Sequence, residues 1–237
     1  MLIEICCPSI EAATAAQNSG ADRIELCAEL DIGGITPAHE DIMFAAGEIK
    51  IPVNVLIRPR GGSFVFSEKE HRRIMEDIEF CAKNGVNGVV IGALTADRKI
   101  DKARSREMIN LAHNAGLSVT YHRAIDCTKD IFKALADIME LGADRVLTSG
   151  GCESAFEGIS TLSEMVQLAA DRIIILAGAG ITADNAQQIV EHTRVTEIHG
   201  SRKEIISAIR NPQPHCQDAL YFRTLEPPNP KTFQHHD

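Results

Sequence analysis

The chain has 237 residues, 44% hydrophobic and only 4% aromatic, with 33 Asp and Glu against 24 Lys and Arg. The net charge of −9 argues against nucleic acid as a partner, because phosphate binding needs a basic surface, and no apolar run reaches the roughly 18 residues that span a bilayer. Seven scattered cysteines fit reduced thiols better than a disulfide framework, and the opening segment lacks the basic and apolar regions of a signal peptide, so a cytoplasmic protein is expected.

Along the chain, β-type runs alternate with helical runs at a spacing of about 28 residues, the cadence of repeated βα units. Eight strands are predicted, at 2–6, 23–27, 53–58, 88–91, 118–122, 145–148, 173–176 and 197–199. Ser9 is placed to cap a helix over 10–19, Ser67 one ending near Asn84, and Thr182 one ending near His192. Gly20, Gly85, Gly116 and Gly142 each fall between a helical run and the next strand, where a left-handed residue is wanted. The tetrad Gly20-Ala21-Asp22-Arg23 recurs as Gly142-Ala143-Asp144-Arg145, as expected of one unit used repeatedly. An open doubly wound sheet would carry a glycine fingerprint after its first strand, but Cys7-Pro8-Ser9 stands there. The fold class predicted is therefore α/β, a single (β/α)8 TIM barrel over 1–210, followed at 211–237 by an irregular, proline-rich extension.

Closure of that barrel brings three similar segments together: Glu4-Ile5-Cys6, Glu25-Leu26-Cys27 and Glu197-Ile198-His199. Strand alternation turns each acid and its Cys or His to the same face, so Glu4, Glu25 and Glu197 are predicted to form one inward layer, with Cys6, Cys27 and His199 above it. Two thiols with an imidazole suit a soft ion, Cu(I). Arg58 is expected to pair with Glu25, while Arg60 stands further out, able to grip a carboxylate or phosphate. The loop 61–67, with Phe64 and Phe66, reads either as a lid or as an ordinary connection. Strand five ends in His122, Arg123 and Asp126, with His122 facing inward as an acid–base candidate. Thr148 and Ser149 are candidate donors to an anion, and Gly178, Gly180 and Ser201 candidate members of a phosphate cradle after strands seven and eight. No lysine ends any strand, which argues against a Schiff-base aldolase, and no organic cofactor is expected.

Taken with Gly33-Gly34-Ile35-Thr36-Pro37, Ile57-Arg58-Pro59-Arg60-Gly61-Gly62, Gly92-Ala93-Leu94-Thr95, His122-Arg123-Ala124 and Leu147-Thr148-Ser149-Gly150, these segments resemble the CutC copper homeostasis family over about residues 1–205. The resemblance implies a (β/α)8 barrel, a cytosolic location, self-association as a dimer or higher homo-oligomer, and Cu(I) binding at the positions of Cys6 and Cys27. Two departures stand out: Ala177-Gly178-Ala179-Gly180 replaces the family's Pro-Gly-Gly-Gly, and Tyr121 replaces a Phe. Two functions follow from the sequence. In one, the protein binds Cu(I) through Cys6 and Cys27, aided by His199. In the other, it is an enzyme on a small anionic metabolite, with Glu25, His122 and Asp126 as the catalytic candidates and Arg58, Arg60, Arg123 and the late glycine loop holding the anion.

Overall fold

A computed structural model describes residues 1–211; the predicted extension beyond Asn211, with its prolines, Cys216 and His235-His236, lies outside the described residues. Eight parallel strands close into a barrel in chain order: β1 Leu2–Cys7, β2 Arg23–Leu26, β3 Val53–Leu56, β4 Gly88–Ile91, β5 Ser118–Tyr121, β6 Arg145–Thr148, β7 Ile174–Ala177 and β8 Glu197–Gly200. Eight helices alternate with them: α1 Ile10–Asn18, α2 His39–Glu48, α3 Glu68–Asn84, α4 Lys102–Asn114, α5 Ile131–Leu141, α6 Ile159–Ala169, α7 Ala186–Thr193 and α8 Glu204–Arg210.

Local chemistry sets most of these boundaries. Ser9 accepts from the Ala12 N–H to start α1, and Ser67 with Glu70 forms a full capping box on α3. The four glycines expected to be left-handed all are, with φ between +77° and +89°. At α7 the structure differs: the Thr182 N–H donates to Asn185 Oδ1 and the helix begins at Ala186, so Thr182 opens a turn before the helix. Strand three also ends earlier than predicted, at Leu56. The Ile57 N–H still donates to Val90, but the Arg58 N–H turns to the hydroxyl of Thr36.

The Gly-Ala-Asp-Arg repeat has a shared structural meaning. Asp22 accepts the Ile3 N–H and Asp144 the Val119 N–H, each pinning the preceding strand. The arginine that follows then turns into the barrel, and both Arg23 and Arg145 reach Glu197. Most of the apolar core lies between the strands and the helical ring and includes Cys7; Cys6, Cys27, Leu56 and Val90 form a separate small cluster inside the barrel.

Candidate metal and ligand site

The barrel lumen is polar at its base. Arg23 donates from Nε to Glu4 and from a terminal nitrogen to Glu197, each at 2.5 Å, and Arg145 adds a 3.1 Å contact to Glu197. The other oxygen of Glu4 meets Nδ1 of His199 at 2.8 Å. Burial alone would raise the Glu4 carboxyl, but the hydrogen bond to His199 and the charge of Arg23 outweigh it and hold the group at about 2. Arg23 is not among the residues expected at the site, although it shares strand parity with Glu25 and recurs in the repeat as Arg145.

The predicted glutamate layer is not flat. Glu4 stands level with Arg23 on one side and His199 on the other, whereas Cys6 stands level with Glu25. Strands in a closed barrel are tilted and staggered, so equivalent positions in neighbouring strands sit at different heights. The stagger gathers Cys6, Glu25 and His199, each contributing one donor atom, with all three atoms within 4.8 Å of one another. Cys6 Sγ lies 3.7 Å from Glu25 Oε1 and 3.4 Å from Cys27 Sγ. Cys27 thus touches the group through Cys6, packed behind it against Leu56 and Val90.

This arrangement sets the protonation of the group. The Cys6 thiol is pushed well above its ordinary range by its hydrogen bond with Cys27, then by burial and the charge of Glu25. Burial raises Glu25 to about 7, with Glu4 adding to the shift and His199 and Arg23 opposing it. His199 is raised: burial works against its charged form, but Glu25 and Glu4 prevail. Glu25 Oε2 is buried and has no hydrogen-bond partner among the described residues.

Above the group opens a cavity of about 480 Å3. Cys6, Glu25 and His199 line its base, and Arg58, Phe64, His122, Arg123, Gly180 and Ser201 line its walls. The expected ion pair between Arg58 and Glu25 is absent. Instead, Arg58 donates to the carbonyls of Gly33, Gly34 and Gly62 at 3.0, 2.9 and 2.8 Å. The loop through Gly33 and Gly34, both left-handed, wraps the guanidinium before it can reach Glu25, and Thr36 in the same motif bonds the Arg58 backbone. Arg60 pairs with Glu70 at 2.6 Å and with the carbonyls of Ser63 and Val65, so it braces the loop 61–67 and does not line the cavity.

His122 is inward and buried, and burial together with Arg58 pushes it down to about 3, leaving a neutral imidazole. Asp126 is instead saturated: it accepts from Arg123, the Thr148 hydroxyl, the N–H and hydroxyl of Ser149, and the Gly151 N–H. The donors expected to meet an external anion are therefore taken up by the protein's own carboxylate, which ties the short 3-10 helix Arg123–Cys127 to the end of β6. Gly178 likewise gives its N–H to Thr148 and packs so closely that a Cβ there would stand 2.5 Å from Leu147; it serves packing, not a phosphate cradle.

A closed eight-stranded barrel with a thiol–imidazole–carboxylate group at the foot of a solvent-reaching cavity defines a barrel protein equipped to hold a metal ion or a small ligand. The chain belongs to the CutC family, whose model matches residues 1–204. A CutC family protein of Pasteurella multocida is 45% identical over 203 residues, 86% of this chain and 82% of the relative. One of Vibrio campbellii is 45% identical over 201 residues, 85% and 81% of the two chains. The crystal structure of CutC from Streptococcus agalactiae superposes with a TM-score of 0.80 at 33% identity, covering 86% of this chain and 99% of that one. No helix among the described residues is long and apolar enough to cross a membrane.

Proposed function

We propose that this CutC family protein handles copper in the cytoplasm by holding one Cu(I) ion at Cys6, with Cys27 as second sulfur and His199 as nitrogen ligand. The observation that carries the reading is the position of Cys6 Sγ. It is 3.4 Å from a second sulfur, grouped within 4.8 Å of an imidazole nitrogen, and set at the base of a cavity through which an ion can enter. Paired thiolates favour soft Cu(I) over hard cations, which prefer all-oxygen sites. With metal–sulfur bonds of about 2.3 Å, two sulfurs sharing an ion stand about 3.8 to 4.0 Å apart, so the pair opens by about half an ångström on binding. Loading displaces protons from two thiols, and affinity therefore rises with pH.

The test is an anaerobic Cu(I) titration against a competing chelator, with circular dichroism to verify folding. One tightly bound ion per chain, lost in Cys6→Ser and weakened in Cys27→Ser, is the expected result. Binding indifferent to either cysteine refutes the reading. So does a preference for Zn(II) that depends on Glu25 and not on Cys27.

A further inference from the structure

The copper donors account for the base of the cavity, but two residues of its wall carry polar atoms that nothing among the described residues satisfies. Arg58 Nε and His122 Nε2 are buried without a hydrogen-bond partner among the described residues, and both residues, each 5% exposed, line the cavity. The neighbourhood fixes the His122 tautomer: Nδ1 accepts the Ala124 N–H at 3.2 Å, so the proton of the neutral ring sits on Nε2 and that atom is a donor. Arg58 presents a donor as well, and a charge. Its terminal nitrogens are held by three backbone carbonyls, which orient the guanidinium without neutralising it, and among the described residues no carboxylate pairs with it. A buried cation without a counter-charge is costly, and proteins retain such groups where an anion completes them.

Phe64 packs against both side chains. Its ring centre lies 4.7 Å from Arg58 Cζ and 4.9 Å from the centre of the His122 ring. It is carried by the loop 61–67, in which Gly62 has φ +76° and open space where a Cβ would stand. Displacement of Phe64 therefore uncovers one charged and one neutral donor on the same wall. Arg123 also lines the cavity, but its guanidinium is paired with Asp126 at 2.9 Å, which leaves Arg58 as the unpaired cation of this wall.

We propose that the wall of the cavity formed by Arg58 and His122 binds the oxyanion group, carboxylate or phosphate monoester, of a small metabolite, with Phe64 as a lid that opens to admit it. The volume of about 480 Å3 suits a small metabolite and exceeds the need of a single ion. The site shares no residue with the copper ligands, so the two proposals stand or fall separately.

The full chain is titrated with malate, glycerol 3-phosphate and inorganic phosphate at constant ionic strength. Readouts are the melting temperature and the long-range 1H–15N spectrum of its histidine rings. The site predicts that at least one anion raises the melting temperature at millimolar concentration and shifts the His122 Nε2 signal in the wild type, a readout that needs no variant to fold. A response to malate identifies a carboxylate ligand, and a response to either phosphate a phosphoryl ligand. His122→Phe should weaken binding by about tenfold or more, the effect of losing a hydrogen bond to a charged group. The proposal is overturned if none of the three anions exceeds a chloride control in either readout, or if His122→Phe binds as tightly as wild type.

Discussion

Arg23 offers the sharpest test of how the barrel is held closed. It joins β1, β2 and β8 through Glu4 and Glu197, and its side chain is 5% exposed against 0% for Glu4. Replacing it with Met keeps the volume and removes the charge. Glu197 retains Arg145 and Glu4 retains His199, but two buried carboxylates lose their strongest donor, and breaking such a pair costs about 3 to 5 kcal/mol. For a domain of this size that is a fall in melting temperature of roughly 10 °C. The pH dependence makes the test specific. In the wild type the Glu4 carboxyl titrates at about 2, below its ordinary 4.5. A depressed carboxyl stabilises the fold fully above its unfolded value, and that stabilisation fades as pH falls from 4.5 toward 2. In Arg23→Met the Glu4 carboxyl rises, so the variant accepts a proton at a higher pH and its deficit narrows on acidification. Urea unfolding of both proteins at intervals from pH 7 to pH 4 measures this. A variant within 1 kcal/mol of wild type at pH 7, on the order of what an exposed pair contributes, or a deficit that does not change with pH, would refute the argument.

Three further outcomes are expected. His122, held near 3 against an ordinary 6.5, favours the fold above its unfolded value and loses that contribution as pH falls from 6.5 toward 3; His122→Phe should flatten the acid limb of a stability profile followed by urea unfolding. Gly92→Ala places a Cβ 2.5 Å from the His122 ring, and the forced tilt should cost about 1 to 3 kcal/mol in denaturant unfolding, with Gly47→Ala, where the space is open and the backbone unstrained, as the contrast for steric crowding. A thiol reagent at pH 8 should modify exposed Cys127 and half-buried Cys152 well before Cys7 and Cys81, whose thiols burial pushes up to about 12; mass-spectrometric mapping that finds either buried cysteine labelled first would contradict this.

Much of the architecture was legible in order and period alone. Eight β runs with helical spacers forced a closed parallel barrel, because a parallel crossover needs a helix and eight repeats bring the last strand back to the first. Strand parity sufficed to turn Cys6, Glu25, Cys27, His122 and His199 inward and Cys7 outward, since a period of two leaves only two faces. Heights and partners were another matter. Whether Glu4 meets Glu25 or His199 depends on the stagger that closes the barrel, a property of all eight strands together, and the choice fell on His199. Loops made the other decisions. The carbonyls of Gly33 and Gly34 claimed Arg58, Glu70 claimed Arg60, and Thr148 with Ser149 turned to Asp126, because an irregular segment can bring donors and acceptors to any residue within its reach and no periodicity records where. Sequence thus determined which side chains enter the lumen. The tertiary structure decided which of them touch, and left Arg58 Nε, His122 Nε2 and Glu25 Oε2, on three residues that line one cavity, without hydrogen-bond partners among the described residues, because unmet hydrogen bonds become visible only once every neighbour has a place.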